Sequence, residues 1–459
     1  MPRAAAPERI AGVASAQLQS LYEHECAAYA AARPRSRALN AGGPHGYYAG
    51  VPLHWMLDWP MPFPMIVAAA VGATLRDVDG IELADFCLGD TGSMFGHSPA
   101  PVVRTIAAQA GRGLTYMLPT EDALAVGELL AQRFGLPHWQ VATTASDANR
   151  FALRVARAVT GRARIIVMNG CYHGAVDETY VTLAQGRTVN QPGLVGQFAD
   201  LAAHTTCVEF NDLRSLERAL AGGDVACLIT EPVLTNCCMV LPAPGYHAGL
   251  RRLTRAAGTL LLIDETHTIS TGPRGYTGAY GLEPDMFVLG KPIAGGVPTS
   301  VWGFTDAIAA AWNELRRRKP DGHSGFGTTL SANALSLACM RTVLTEVMTD
   351  AAYAHMEALA EELEAGLKRA IAGAGLPWHA LRVGARVEFV CAPGPLRNGA
   401  EAMAAHVPAV ERAVHVALVN RGCLIAPFHN MMLVCPATTP AQVARLTGAF
   451  TDITTRLAG

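Results

Sequence analysis

Residues 259–303 read TLLLIDETHTISTGPRGYTGAYGLEPDMFVLGKPIAGGVPTSVWG. Four apolar residues, Leu260 to Ile263, are bounded by turn formers and deliver two adjacent carboxylates, Asp264 and Glu265. That is how a buried parallel strand ends at an active-site edge. A second short apolar run, Met286 to Leu289, delivers Gly290 and Lys291. An acid at one strand end and a lysine just past the next predict a site at that edge.

The chain has three lysines, Lys291, Lys319 and Lys368, so each choice of lysine over arginine is informative. Lys319 closes an Arg-Arg-Arg-Lys run and Lys368 lies beside Arg369 in a charged helix. Lys291 instead sits in an apolar loop with Gly290, Gly295 and Gly296, where a permanent guanidinium charge is costly but an ammonium can shed its proton. A Schiff-base nucleophile requires that property. By itself the segment also fits a lysine whose stem packs on apolar surface while its head reaches water. Carbanion chemistry on pyridoxal phosphate needs such a lysine and a carboxylate that keeps the pyridine nitrogen protonated. Asp264 is the candidate for that second role.

With these residues the chain resembles the class III aminotransferases of pyridoxal-phosphate fold type I. The family's Asp-Glu-Val is matched by Asp264-Glu265-Thr266, and its Gly-Lys followed by Gly-Gly-x-Pro by Gly290-Lys291 and Gly295-Gly296-Val297-Pro298. The group includes glutamate-1-semialdehyde aminomutase and the omega-amino-acid and amine transaminases. The resemblance implies pyridoxal 5'-phosphate as cofactor, with Lys291 and Asp264 catalytic.

Composition agrees with a soluble small-molecule enzyme. At 459 residues and 50% hydrophobic content the chain can bury a large core and divide into two or three lobes. A formal charge of −2 favours neither nucleic acid nor an acidic membrane as partner. Eleven cysteines without metal-ligand or CxxC spacing read as reduced core thiols of a cytoplasmic protein, and no metal site is expected. The opening MPRAAAPERIAGVASAQLQ lacks the apolar core of a secretory signal, and no run is long enough to span a bilayer.

Taken in order, a helix is expected over Ala14 to Ala32, then a basic, solvated or subunit-contacting loop from Arg33 to Arg37. The next segment, GGPHGYYAGVPLHWMLDWPMPFP, is too rich in glycine, proline and aromatics for regular structure. In the resembled family this region helps form the substrate entrance, which makes His54 and Trp55, with Tyr172, candidate substrate residues; simple packing onto the body fits equally. Ala73 to Phe86 reads as a hairpin turning at Asp79-Gly80, and His97 as a structural turn residue. Strand, small-residue turn and helix over Val141 to Val159 make a phosphate site at a helix N-terminus, with Ser146 matching the family's phosphate loop and Ala145 standing where the family has glycine, a replacement that requires φ not to be positive. Ser146 as an ordinary helix cap has the same geometry.

Further along, Tyr172 in Tyr172-His173-Gly174 resembles the aromatic residue that stacks on the pyridine ring. Glu231-Pro232 with nearby Asn236 matches the family's Glu-Pro and Asn. Thr266 replaces the valine that packs on the cofactor. His267 stands where relatives often carry glutamine near the cofactor's phenolic oxygen, either bonding there or as a core histidine. The stretch from His323 to Asn333 resembles a family segment whose threonine, here Thr329, reaches the phosphate of the partner subunit's cofactor. A homodimer with sites at the subunit interface follows from that resemblance. No arginine occurs in CLIAPFHNMMLVCP, where some relatives read a substrate carboxylate; Arg386 and Arg397 are the alternatives, and both also read as surface or structural residues.

The expected architecture is α/β: a large domain with a mostly parallel seven-stranded sheet covered by helices, plus a smaller α+β C-terminal domain. The expected divisions are 1–72, an N-terminal helix and aromatic segment; 73–333, the cofactor-binding domain; and 334–459, the small domain. The expected function is amino transfer from an amine or amino acid to a keto acid, ketone or aldehyde in two half-reactions, with an apolar or amine-like substrate. An aminomutase or racemase needs the same residues and stays open, as does a catalytically silent cofactor-binding regulator.

Overall fold

A computed structural model describes residues 8–318, 322 and 324–459, so Lys319 and His323 lie outside the described residues. Two compact units emerge, one of residues 100–353 with 396–404, the other of 1–99, 354–395 and 405–459. These bounds differ from the divisions at 72 and 333 read from the sequence.

The larger unit is built on seven strands: β1 (His138–Ala142), β2 (Arg164–Met168), β3 (Thr205–Val208), β4 (Val225–Thr230), β5 (Leu260–Asp264), β6 (Met286–Leu289) and β7 (Ser300–Phe304). They lie in the order β3-β2-β4-β5-β6-β7-β1. β3, β2, β4, β5 and β6 pair in parallel, while β7 runs antiparallel to both β6 and β1. The mostly parallel seven-stranded sheet expected from the resemblance is therefore present. Every residue of β4, β6 and β7 is buried, which explains why these strands read as continuous apolar runs without alternation.

Helix α1 (Ala145–Thr160) follows β1 and buries Ala148, Phe151, Ala152, Val155 and Ala156, the 3–4 spacing of one helix face. Thr144 caps its start by accepting the Asp147 N–H, and Gly161 ends it in the left-handed conformation at φ 67°. Its buried face joins Ile165, Val167, Ile229, Leu262 and Val288 in one core, each such side chain contributing about 1.5–3 kcal/mol. Helices α2 (Tyr246–Ala256) and α3 (Gly275–Tyr280) flank β5 in the chain.

In the smaller unit the expected hairpin is present, with Thr74–Asp77 pairing antiparallel to Glu82–Asp85. His97 has the structural place expected of it, its Nε2 standing 2.7 Å from Asp85 Oδ2. The basic loop is corrected: Pro34–Ala41 is a helix, and Arg33 is 1% exposed, its Nε 2.9 Å from Asp77 Oδ2. Proline at the first helical position is pre-set for helix, and the following arginines spread around it. All eleven cysteines are free, nine of them buried. Among the described residues no helix is long and apolar enough to cross a membrane.

Candidate active site

The C-terminal ends of β1, β2, β4, β5 and β6 share one sheet edge, where an open α/β sheet presents its ligand site. Asp264, the last residue of β5, is 5% exposed. Its Oδ2 accepts the Asn149 amide at 2.8 Å from α1 and stands 3.0 Å from His173 Nδ1 beyond β2, while Oδ1 takes the Thr266 N–H at 3.1 Å. Burial alone would raise the Asp264 pKa; the hydrogen bond and charge of His173, with the Thr266 and Asn149 donors, outweigh it and lower the pKa to about 2. Burial likewise opposes charge on His173, yet Cys171 and Asp264 raise its pKa well above the ordinary value. The edge thus carries a buried carboxylate held as an anion.

Glu265, its neighbour, points elsewhere. It accepts the Thr268 hydroxyl at 2.5 Å, the Tyr276 N–H at 3.1 Å and the Thr277 N–H, so it anchors the start of α3. Only one of the two adjacent carboxylates belongs to the Asp264 cluster.

Lys291 begins the turn after β6 at φ 46°, an uncommon backbone state for a residue with a side chain and one that collects at functional sites. Gly290 before it lies so near the start of α1 that a Cβ there would come within 2.8 Å of Ala145 Cβ. The Thr266 hydroxyl accepts the Gly290 N–H at 3.3 Å, tying the β5 end to the lysine loop. Lys291 Nζ contacts His267 Nε2, and His267 Nδ1 lies 2.7 Å from Thr235 Oγ1. Thr235 donates in turn to Glu231, whose other oxygen accepts the Asn236 amide at 3.1 Å.

At the start of α1, Ala145 lies inside the helix with negative φ, so alanine in place of glycine is free of strain. Ser146 Oγ accepts the Ala175 N–H at 2.9 Å and faces Gly174, which adopts φ 83°. Tyr172, in the same loop, is half exposed and 6.5 Å from the Tyr180 ring.

Asp264, Thr266, His267, Lys291, Glu231 and Asn236 are thus linked by hydrogen bonds or chain adjacency within the larger unit, beside Ala145 and Ser146. His54 and Trp55 belong to the smaller unit, exposed on the turn His54–Leu57, with Trp55 edge-on to Phe428 at 5.6 Å. Thr329 is exposed, beside Thr328 and Ser331, which flank Thr143 at 3.3 and 3.2 Å. Three polar members were not foreseen as site residues: Asn149, His173 and Thr235. Asn149 carried a signal, a polar residue on the apolar face of an amphipathic helix; Thr235 carried none beyond lying between Glu231 and Asn236.

The family model "Aminotransferase class-III" matches residues 58–452. A glutamate-1-semialdehyde 2,1-aminomutase of Anaeromyxobacter sp. (strain Fw109-5) is 34% identical over 349 residues, 74% of this chain and 79% of that one. The crystal structure of a glutamate-1-semialdehyde-aminomutase from Pseudomonas aeruginosa PAO1 superposes with a TM-score of 0.95 at 49% identity, covering 97% of this chain and 100% of that one. A beta-phenylalanine aminotransferase from Variovorax paradoxus shares the fold at a TM-score of 0.84 and 22% identity, covering 95% and 97%. With a family model spanning most of its length and an acid and a lysine at the sheet edge, the chain belongs to the class III aminotransferases, pyridoxal-phosphate-dependent enzymes of fold type I.

Proposed function

We propose that this enzyme moves an amino group from an amine-like donor to a separate carbonyl acceptor, with Lys291 and Asp264 as catalytic residues. The observation that carries the assignment of the two residues is the buried Asp264 anion on β5 next to the strand that delivers Lys291, and the choice of a separate acceptor rests on the partners that Arg386 and Arg397 already have.

The residues fit pyridoxal 5'-phosphate. A carboxylate with a pKa of about 2 suits a cationic ring nitrogen, the start of α1 with Ser146 suits a phosphate, and Gly174 leaves room beside the serine. When bound, the cofactor supplies an electron sink for the pair released as a carbon–hydrogen bond breaks. Asp264 Oδ atoms hold the counter-charge, and His173 and Asn149 keep that carboxylate ionised and oriented. Ala145 and Ser146 bring first-turn N–H groups, which an α-helix leaves without intrahelical partners. Tyr172 offers a flat face, and Thr266, Glu231 and Asn236 brace the lysine side. Lys291 Nζ takes a proton from the substrate carbon and returns it at the other end of the transferred group, worth about 10²- to 10⁴-fold for a positioned acid–base group.

The arginines considered for a substrate carboxylate each have a partner outside the Lys291 cluster, and one of them is closed off from solvent. Arg397 pairs with Glu401, and Arg386 is fully buried and bonded to Thr91. That favours a donor without a carboxylate to be read. The second reading, intramolecular transfer as in an aminomutase, is favoured by the names of the relatives at 34% and 49% identity. A homodimer, with Thr329 reaching a partner's phosphate site and His54 and Trp55 on the substrate side, completes the proposal.

The test is product analysis of the cofactor-loaded enzyme. An amine donor should be consumed beyond one equivalent per active site only when a keto acid or aldehyde is supplied, with one aminated product for each further donor used. Conversion of glutamate-1-semialdehyde without any acceptor would overturn the transfer reading in favour of the aminomutase.

A further inference from the structure

Behind Lys291 a chain of polar groups runs inward, with nothing in simple bracing that demands its composition. Glu231, Thr235 and His267 are 3%, 0% and 4% exposed, so their protons have little access to water. Each can donate and accept along one line. Thr235 has a single O–H, and it goes to Glu231 Oε2. Its lone pair then faces His267 Nδ1 at 2.7 Å, so Nδ1 carries the hydrogen. His267 Nε2 is left as an acceptor and meets Lys291 Nζ. The far end is also prepared: Glu231 takes the Thr235 N–H at 3.2 Å and the Asn236 amide at 3.1 Å.

We propose that His267, Thr235 and Glu231 form a proton relay that removes a proton from Lys291, stores it on Glu231 and returns it. The relay rests on the reading of Lys291 as the reacting amine. The Nζ–H bond of the lysine ammonium breaks as a bond forms to His267 Nε2. The Nδ1 proton passes to Thr235 Oγ1, and the threonine's own proton passes to Glu231 Oε2. A cation and an anion become a neutral amine and a neutral carboxyl group, and no other reactant is needed. Burial favours that outcome, since it raises the Glu231 pKa above the ordinary carboxyl value against the lowering effects of His173, Thr235 and Asn236. Of the neighbouring charges, His173 lowers and Asp264 raises the Glu231 pKa through space, but these two are bonded to each other at 3.0 Å, and Glu265 is turned to Thr268 and the start of α3. His267 touches the reacting nitrogen; Thr235 and Glu231 are positioning residues that act through it.

The experiment follows covalent capture of pyridoxal 5'-phosphate by the full-length apoenzyme, read by absorbance in stopped flow between pH 6 and 9. Wild type is compared with Thr235→Val, Thr235→Ser, Glu231→Gln and Lys291→Ala. Removing the hydroxyl or the carboxylate should move the acid limb of the rate–pH profile up by about one unit and slow capture at pH 7 about tenfold, while Thr235→Ser restores the wild-type profile. A structural brace would change affinity or thermal stability and leave the position of the limb unmoved; that result in Thr235→Val and Glu231→Gln overturns the relay. Should Thr235→Val not fold, Glu231→Gln decides alone, because an amide cannot accept the proton. Lys291→Ala separates the two readings: capture persisting there removes the lysine assignment itself, whereas capture lost there and an unmoved limb in the others removes only the relay.

Discussion

His173 Nδ1 and Asp264 Oδ2 stand 3.0 Å apart, joining the loop after β2 to the end of β5, and both groups are buried. Burial is the largest influence on Asp264 and raises its pKa; His173 leads the interactions that lower it to about 2. An aspartate lowered in the fold stabilises it above the ordinary value of about 3.9, and that contribution is lost as pH falls through about 2. In the native enzyme Asp264 therefore adds no acid limb to the activity profile above about pH 4. In His173→Gln burial has less to oppose it, so the Asp264 pKa rises and a new acid limb should enter the kcat/KM profile. A profile identical to wild type would remove His173 from this role. Asp264→Asn, which cannot hold the anion, should lower kcat by about 10²-fold or more at every pH.

Gly174 adopts φ 83°, and a Cβ built on it would fall 2.2 Å from Ser146 Oγ. Gly174→Ala must strain its backbone, at about 1–3 kcal/mol, and displace the serine from the start of α1. Pyridoxal-phosphate affinity, measured by fluorescence titration, should weaken about tenfold or more. Ser146→Ala, which removes the hydroxyl and leaves the backbone alone, should weaken it less. Unchanged affinity in both variants would place the phosphate elsewhere.

Arg33 and Asp77 form an ion pair whose side chains are 1% and 0% exposed. Removing one partner leaves the other charge buried and unpaired, at about 3–5 kcal/mol. Arg33→Met alone should therefore lower the urea midpoint strongly, and the double variant Arg33→Met with Asp77→Leu should recover part of the loss. If the single change costs less than about 1 kcal/mol, the pair is not what holds this segment.

The elements of the larger unit were legible because parallel strands covered on both faces leave short, uninterrupted apolar runs; β4 and β6 fall at the residues read from the sequence. Lys291 and Asp264 could be singled out because each ends such a run. The partners of Asp264 could not, since Asn149 and His173 lie 115 and 91 residues away and are brought in only by sheet order. Arg33 misled for a related reason: a run of arginines reads as solvated unless one knows that Asp77, 44 residues on, faces the first of them. The direction of Glu265 was equally hidden, because adjacent carboxylates at a strand end look alike until the next helix is placed.

His406 Nδ1 and Glu411 Oε1 lie 3.4 Å apart in the smaller unit. The hydrogen bond to Glu411 raises the His406 pKa against a partial opposing effect of burial. A histidine whose pKa is raised in the fold stabilises it fully below its ordinary value of about 6.5, and that contribution disappears as pH rises through the raised value. His406→Gln should thus reduce the unfolding temperature at pH 6, and the gap from wild type should close as the pH is taken well above neutral. Measured by calorimetry across that range, a gap that stayed constant with pH would show that the pair acts through packing and not through charge. A fall of 1 kcal/mol corresponds to about 2–4 °C or less in a chain this long, so the comparison needs matched buffers at each pH.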